Sequence, residues 1–236
     1  MLNTKNIRTI IGIAVAIGLP LSFYLIAKGL SKAKIMMPRY FVAEEIQKGA
    51  GGLPDTSWHR AAEFRGVNQL GEQVALNAGL EDRLLAVNFF FASCPTVCPQ
   101  LTTNMGLLQR AFTKSAKDTH DTIRVQIVSI TVDPIRDSPS VLRAYADRYR
   151  ANHDRWWFIN APRAEVARYM RDDLGLAGGT GEGGMEDLAH SQSIVILDKE
   201  RYIRGVYNGL DSAEVRRCAE DLVLLSMEKK RPRKVH

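Results

Sequence analysis

Cysteine is scarce in this chain, with three in 236 residues. The length and the 45% of apolar residues are enough for a sizeable hydrophobic core. Disulfides are therefore not needed to hold the fold together, which excludes a small disulfide-stapled scaffold. Two of the three cysteines, Cys94 and Cys98, form a Cys-x-x-x-Cys pair. A pair at this spacing is hard to attribute to chance. The alternative is two packed, inert cysteines in the core.

Acidic residues are absent from the first 39 positions, which carry six Lys and Arg. Within them, residues Ile10 to Ala27 form an uncharged, mostly apolar run. About 18 such residues is the lower range for a membrane span. The run lacks a convincing signal-peptidase site, and no Cys follows it to accept a lipoprotein anchor. We therefore expect an uncleaved N-terminal transmembrane anchor at residues 1–30.

The charge of the chain is concentrated at its ends. The total is +6, of which residues 1–39 contribute six positive charges and the tail 229–236 five, leaving −5 between them. Basic flanks favour anionic lipid headgroups, and a solvated tail is the simplest interpretation of the last residues. With a membrane anchor present, we do not expect nucleic acid as a partner. The basic residues on the two flanks of the run slightly favour a cytoplasmic domain.

Strands and helices are predicted to alternate after a tether at residues 31–56. Phe64–Leu76 has the pattern of a hairpin, and Asp211 is expected to cap the last helix. Predicted strands cover 84–91, 123–132, 156–160, 193–197 and 202–207; predicted helices cover 99–117, 138–150, 162–174 and 213–227. This order indicates an α/β domain at residues 57–228 with a mainly parallel sheet and helices on both faces.

The dithiol follows an apolar run that is typical of a buried parallel strand. Pro99 suits a first helical position, which would put Cys98 near the N-cap of a helix. A helix N-terminus stabilises thiolate, and thiolate is both a nucleophile and a soft metal ligand. A dithiol at the first strand-to-helix turn and a closing hairpin with a helix predict a thioredoxin-like fold. Redox chemistry and soft-metal binding both stay open at this point.

His190 ends a glycine-rich loop just before the predicted strand 193–197. In a thioredoxin-like sheet the loop that enters this strand faces the dithiol. Thioredoxins carry a cis-Pro there, and this chain has none. Two thiolates and an imidazole would suit copper, although a hydrogen-bonded structural histidine is the alternative. We expect the other four histidines at the surface: His59, His120, His153 and His236.

Three segments together resemble the Sco/SenC copper-binding proteins of cytochrome oxidase assembly. They are Phe89–Pro99 with Cys-Pro-Thr-Val-Cys-Pro, Ser129–Pro139 with Val-Asp-Pro-Ile-Arg-Asp-Ser-Pro, and His190-Ser191 with Ile194–Lys199. The resemblance covers roughly Phe64 to the last helix. It implies a thioredoxin-like domain on one N-terminal span, facing the periplasm or, alternatively, the mitochondrial intermembrane space. The resemblance therefore favours an exported domain, although the basic residues that flank the apolar run slightly favour a cytoplasmic one.

The resemblance also implies a function. Cys94, Cys98 and His190 would bind copper, as Cu(I) or Cu(II). The ion would pass to cytochrome c oxidase subunit II or another copper-accepting protein, with a thiol reductase or another copper chaperone as further partners. The rival is an enzyme, a thiol–disulfide reductase in which the more exposed Cys94 attacks and Cys98 resolves. A peroxiredoxin fits poorly, because the expected Pro and Thr do not precede Cys94; a sensor stays open.

Five further residues could belong to the site or to the fold. Asp133 and Asp137 either flank a turn and a helix start or form an acidic surface that meets a partner. Met170 has helical core spacing and is expected to pack. Met185, on the glycine-rich loop, is a weaker candidate thioether ligand. Cys218 is left over as an odd cysteine and is expected to be a packed thiol.

Overall fold

A computed structural model describes residues 15–25, 43–48, 54–113, 123–176 and 192–228. The chain divides into two units, Met1–Met36 with Glu228–His236, and Met37–Met227. In the first unit, residues 15–25 form helix α1, which has exposed side chains throughout. Across the described ranges, no helix is long and apolar enough to span a membrane. Most of the predicted anchor, residues 1–30, lies outside the described residues.

The second unit is built on a seven-stranded sheet in the order β4-β3-β7-β6-β5-β8-β9. Its strands are β3 Arg65–Asn68, β4 Gln73–Ala75, β5 Leu84–Phe90, β6 Val125–Thr131, β7 Trp156–Asn160, β8 Ser193–Leu197 and β9 Ile203–Asn208. All residues of β5 and β6 are buried, as expected for central strands that are covered on both faces.

The sheet is mixed, so the expectation of a mainly parallel sheet was wrong. Among the strands of the described residues, only β5, β6 and β7 run parallel to one another. β8 pairs antiparallel with β5, and β9 antiparallel with β8; β3 pairs antiparallel with both β4 and β7. The predicted α/β class and the two hairpins are confirmed. Strand direction depends on how each connection crosses the sheet, which the local residue pattern does not encode.

In the part of the chain that the structure describes, four helices cover the sheet: α2 Val97–Thr113, α3 Pro139–Arg148, α4 Arg163–Arg168 and α5 Ser212–Met227. Apolar side chains of α2, α3 and α5 join one core cluster, which we call the dithiol-side core because it includes Cys94 and Cys98. On the opposite face, Val166 of α4 and Tyr169 and Met170 of the π-helical turn after it join a second cluster. Helices on both faces were predicted correctly.

The element bounds agree with the prediction in most places. β7 and β8 match to the residue, and Asp211 caps α5 by accepting a hydrogen bond from the backbone N–H of Ala213 at 2.8 Å. The predicted helix 162–174 is instead α4 followed by the π-helical turn Tyr169–Asp173. The chain then leaves at Gly175, whose positive φ of 63° ends the helical path.

Part of the predicted tether has regular structure. β1 Ala43–Lys48 and β2 Pro54–Trp58 form a separate two-stranded antiparallel sheet, in which Ile46 pairs with Thr56. Residues 31–56 are therefore not irregular throughout. The sequence of these strands alternates poorly between apolar and polar residues, so the periodicity that identifies a half-buried strand was missing.

Candidate metal centre

The dithiol lies on the connection between β5 and α2. β5 ends at Phe90, the backbone N–H of Cys94 donates to the carbonyl of Phe91 at 3.2 Å, and α2 begins at Val97. This tight turn places both thiols against the dithiol-side core. Cys94 is 8% exposed and Cys98 is 1% exposed, so Cys94 is the thiol that an incoming group reaches first.

The two thiols have opposite acidities. Burial opposes ionisation of Cys94, but hydrogen bonds from the backbone N–H groups of Cys98 and Thr96, and from the side chains of both residues, outweigh it. The pKa of Cys94 is therefore lowered. Burial raises the pKa of Cys98 to about 12, and the neighbouring Cys94 and Asp137 disfavour a second negative charge. At neutral pH the proton is kept on Cys98, which can donate its S–H to the Cys94 sulfur.

We predicted that the N-terminus of the helix would acidify Cys98, but in the structure it acts on Cys94. α2 begins at Val97, so Cys98 lies inside the first turn and not at the N-cap, and Pro99 follows within that turn. First-turn N–H groups have no acceptor within the helix. The N–H of Cys98 is directed to the Cys94 sulfur, which makes Cys94 the residue whose thiolate the helix end stabilises.

Asp137 holds the dithiol loop, a role that the sequence did not reveal. Its Oδ2 accepts hydrogen bonds from the backbone N–H of Ala92 at 3.0 Å and from the hydroxyl of Thr131. The residue is 1% exposed, so the proposed acidic surface is wrong for Asp137. Burial raises the pKa of this carboxyl, although the two hydrogen bonds oppose the increase.

The segment that carries Asp137 is itself fixed to β7. The side-chain amide of Asn160 donates to the carbonyls of Pro134 at 2.8 Å and Asp137 at 2.7 Å. The backbone N–H of Asp133 donates to the hydroxyl of Thr131 at 3.0 Å. The Val-Asp-Pro-x-x-Asp-x-Pro stretch thus forms a turn that is held at several points. It places the buried carboxylate of Asp137 where it accepts a hydrogen bond from the backbone of the dithiol loop.

His190 and Met185 lie outside the described residues, but the point where their loop enters β8 is described. β8 runs antiparallel to β5, with Val195 opposite Val87, so its first residue lies toward the dithiol end of β5. The carbonyl of Gln192 accepts from the backbone N–H of Gly209 at 2.7 Å. The carbonyl of Gly209 in turn accepts from Asn104 of α2 at 2.8 Å. The entry to β8 is therefore fixed against the helix that carries Cys98.

The described ranges contain no group of three His, Cys, Asp or Glu side chains placed to hold a metal ion. Met170 is 1% exposed and Cys218 is 0% exposed, and both pack in the core as predicted. His153 differs from the expectation of a surface residue. Its side chain is 23% exposed and bonds to Asp147 at 3.1 Å and Gln69 at 3.0 Å. His59, also 23% exposed, lies 3.9 Å from Asp173.

Comparison with known proteins decides which kind of dithiol domain this is. The model of the SCO1/SenC family matches residues 55–223, which include the dithiol, the turn at Asp137 and the β8–β9 hairpin. The chain belongs to the SCO1/SenC family. The predicted resemblance is thereby confirmed over most of the second unit.

Relatives of this SCO1/SenC protein agree with that assignment. The SCO1 protein homolog of Bacillus subtilis is 26% identical over 165 residues, which cover 70% of this chain and 81% of the homolog. The structure of BsSco, a member of the Sco family of cytochrome c oxidase assembly proteins with a disulfide switch, is 26% identical with a TM-score of 0.60, covering 74% and 98% of the two chains.

ScoI of Bradyrhizobium japonicum, solved with copper bound, shares the fold. It has a TM-score of 0.52 and 21% identity, covering 70% of this chain and 98% of ScoI. The predicted thioredoxin-type fold is confirmed by these similarities.

Proposed function

We propose that this SCO1/SenC protein is a membrane-anchored copper metallochaperone that uses Cys94, Cys98 and His190 to carry one copper ion. The observation that supports this most is the paired thiols, one of them acidified, at a helix start next to the entry of the His190 loop. Family membership and the copper bound in ScoI of Bradyrhizobium japonicum add to it.

The donor set fits copper as cargo. Soft thiolates favour Cu(I), and imidazole suits copper in both oxidation states. The lowered pKa of Cys94 favours its thiolate, and copper would have to displace the proton of Cys98, whose pKa is about 12. Two thiolates in a turn held by Asp137 and α2 supply a preformed pair of ligands.

His190 is proposed as the third ligand. It stands three residues before Ser193, the first residue of β8. Three extended residues span about 10 Å, so the imidazole is within reach of the dithiol end of β5. A ligand on a loop outside the sheet can leave while the two cysteines hold the ion, which allows transfer to a partner by ligand exchange.

The proposed acceptor is cytochrome c oxidase subunit II, or another copper-accepting protein that matures the dinuclear copper site. The proposed organisation is an anchor at 1–30, a tether at 31–56, the copper-binding domain at 57–228 and a basic tail at 229–236. We place the domain in the periplasm, with the intermembrane space of mitochondria as the alternative. Each assignment extends the family's link to oxidase assembly.

A thiol–disulfide reductase that keeps the acceptor's cysteines reduced is the second candidate. One observation favours it: the more exposed Cys94 has the lowered pKa, and the buried Cys98 keeps its proton. That division suits an attacking thiolate and a resolving thiol. The disulfide switch of BsSco is consistent with a dithiol that cycles.

Copper stoichiometry tests the proposal. The reduced chain beginning at Met37, which retains both strands of the β1–β2 sheet, is expected to bind one copper per chain. Cys94→Ser and Cys98→Ser should abolish tight binding, because a hydroxyl is a hard, poorly ionised ligand. His190→Ala should weaken it, whereas the control His59→Ala, beside Asp173, should not. Full-strength binding by either cysteine variant would refute the assignment.

Oxidase assembly in cells separates the two candidates. A chaperone should lose oxidase assembly in the His190→Ala strain, and added copper should relieve the defect. A reductase should keep most of its function, because both thiols remain. Normal assembly in that strain, with loss only in the cysteine variants, would replace the chaperone by the reductase.

A further inference from the structure

A cleft of about 280 Å³ opens beside the dithiol loop. One side is formed by Ala92 and Ser93, the two residues that precede Cys94, and the other by α3. The hydrogen bond from Ala92 to Asp137, which also lines the cleft, ties the loop to the opposite wall. The wall of the cleft thus includes Ser93, the residue directly before the more exposed thiol.

The open face of the cleft is basic. Arg136 and Arg148 line it, and both are exposed. Its carboxylate, Asp137, is buried and already accepts two hydrogen bonds. Asp133 lies 3.6 Å from Arg136, but the Arg136 side chain is 75% exposed, and exposed pairs of this kind are worth little. Two guanidinium groups thus face solvent on a domain whose charge is −5 over residues 40–228.

The same cleft has an apolar component. Tyr145 and Val141 line it, and Val141 is 40% exposed. Ile135, next to Arg136 in the chain, is 87% exposed. Arg and aromatic residues are enriched in protein–protein contacts and Lys is depleted, and this cleft combines two arginines with Tyr145 and an exposed valine. The volume suits one or two side chains and is small for a cofactor.

We propose that this cleft docks an acidic segment of the partner protein that also carries an apolar side chain, and so brings the partner's cysteines to Cys94. The proposal rests on the proposed function, because it assumes a partner that exchanges copper or a disulfide with the dithiol. The carboxylate of the segment pairs with Arg136 and Arg148, and its apolar side chain packs on Val141 and Tyr145.

Peptide disulfides of opposite charge test the proposal without copper. The probes are the symmetrical disulfides of acetyl-Glu-Leu-Cys-Glu-amide and acetyl-Lys-Leu-Cys-Lys-amide. The Cys94 thiolate attacks one sulfur, forming a mixed disulfide and releasing one peptide thiolate. Cys98 loses its proton and displaces the second, leaving the Cys94–Cys98 disulfide. We expect the acidic probe to react about tenfold faster or more at low salt, with the advantage shrinking as salt rises.

The variant Arg136→Glu/Arg148→Glu should reverse this preference. Its matched control is Arg163→Glu/Arg171→Glu, which makes the same charge change on α4 and the turn after it, at the opposite face of the sheet. The control should keep the preference for the acidic probe. An equal preference in both double variants, or none in the parent protein, would overturn the docking site.

Two further measurements distinguish protein docking from copper binding and from lipid binding. The variant Arg136→Glu/Arg148→Glu should still bind copper as the parent does. If the parent itself failed to bind copper, that result would count against the proposed function and not against the docking site. If vesicles containing phosphatidylglycerol retain the chain beginning at Met37, this retention should not depend on Arg136 and Arg148. Retention that disappears in the Arg136→Glu/Arg148→Glu variant would assign the cleft to lipid headgroups instead.

Discussion

Cys94 and Cys98 share one turn, yet the surroundings of each thiol determine a different proton affinity. The backbone N–H groups of Cys98 and Thr96 are directed to the Cys94 sulfur, whereas Cys98 is buried more completely, at 1% exposed against 8% for Cys94. Cys94 thus loses its proton more readily than Cys98 does. A single side chain that changes the donors around Cys94 should therefore change the chemistry of the pair.

Alkylation rates measure this division directly. With iodoacetamide at pH 7, Cys94 should be modified first and Cys98 should be protected, because only thiolate reacts and the pKa of Cys98 is about 12. The rate at Cys94 should rise with pH to a plateau, with its half-maximal value below pH 9, the ordinary thiol value, since its pKa is lowered. Mass spectrometry of digests after timed quenching assigns each site.

Cys98→Ala supplies the control for that measurement. It removes the S–H that donates to Cys94 while leaving the backbone N–H of residue 98 in place. The pKa of Cys94 should then rise toward its ordinary value, and the rate at pH 7 should fall. Faster modification of Cys98 than of Cys94 in the parent protein would contradict the assigned acidities.

At the scale of elements, the sequence predicts the features that depend on a local residue pattern, such as the bounds of a strand. The aromatic and β-branched runs at Trp156–Asn160 and Ser193–Leu197 gave strand bounds to the residue. The start of α2 was missed by two residues; the backbone N–H of Cys98 in its first turn is directed to the Cys94 sulfur, an arrangement that only the folded turn reveals. Asp137 was missed for the same reason, since its partner Ala92 is 45 positions away.

Gly209 links two elements of the site and should not tolerate a side chain. A Cβ there would lie 2.2 Å from Cδ1 of Leu101 on α2 and 3.0 Å from the carbonyl oxygen of Gln192. Gly209→Ala should lower the free energy of unfolding by about 1–3 kcal/mol and weaken copper binding by shifting the entry of the His190 loop. Urea unfolding and copper titration of the same preparation measure both effects.

Gly106→Ala is the matched control on α2. Its Cβ would meet only the Arg110 side chain at 3.7 Å, and replacing a glycine inside a helix by alanine stabilises it by about 0.5–1 kcal/mol. Stability should therefore rise and copper binding should stay unchanged. If both variants lowered stability alike, the tight contact at Gly209 would not be the cause.

At the scale of the whole domain, Arg201 joins distant parts of the chain. It is 1% exposed, and its guanidinium donates to the side chain of Asn77 and to four backbone carbonyls, those of Leu76, Leu80, Arg83 and Asp198. The β8–β9 turn is thereby fastened to the connection between β4 and β5. The set uses all five donors that a guanidinium has.

Arg201→Met should therefore destabilise the domain without touching the dithiol. Buried acceptors left without donors cost about 1–3 kcal/mol each, so we expect a loss of about 3 kcal/mol or more in the free energy of unfolding. Arg201→Lys should recover only part of it, because an ammonium has three donors and no planar fork. Urea unfolding of both variants, beside the exposed Arg163→Met, checks this; a change below about 1 kcal/mol in Arg201→Met would contradict it.

The proposed anchor concerns the whole molecule, because it would hold the dithiol domain at a membrane. Carbonate extraction of membranes should leave the full chain in the pellet and release the chain beginning at Met37. Leu19→Arg puts a charge inside the apolar run, which costs about 2.5–3.5 kcal/mol at the centre of a span, and should move part of the full chain to the supernatant. Val141→Arg, at an exposed position of α3, should leave its distribution unchanged. Release of the unaltered full chain by carbonate would contradict an uncleaved span.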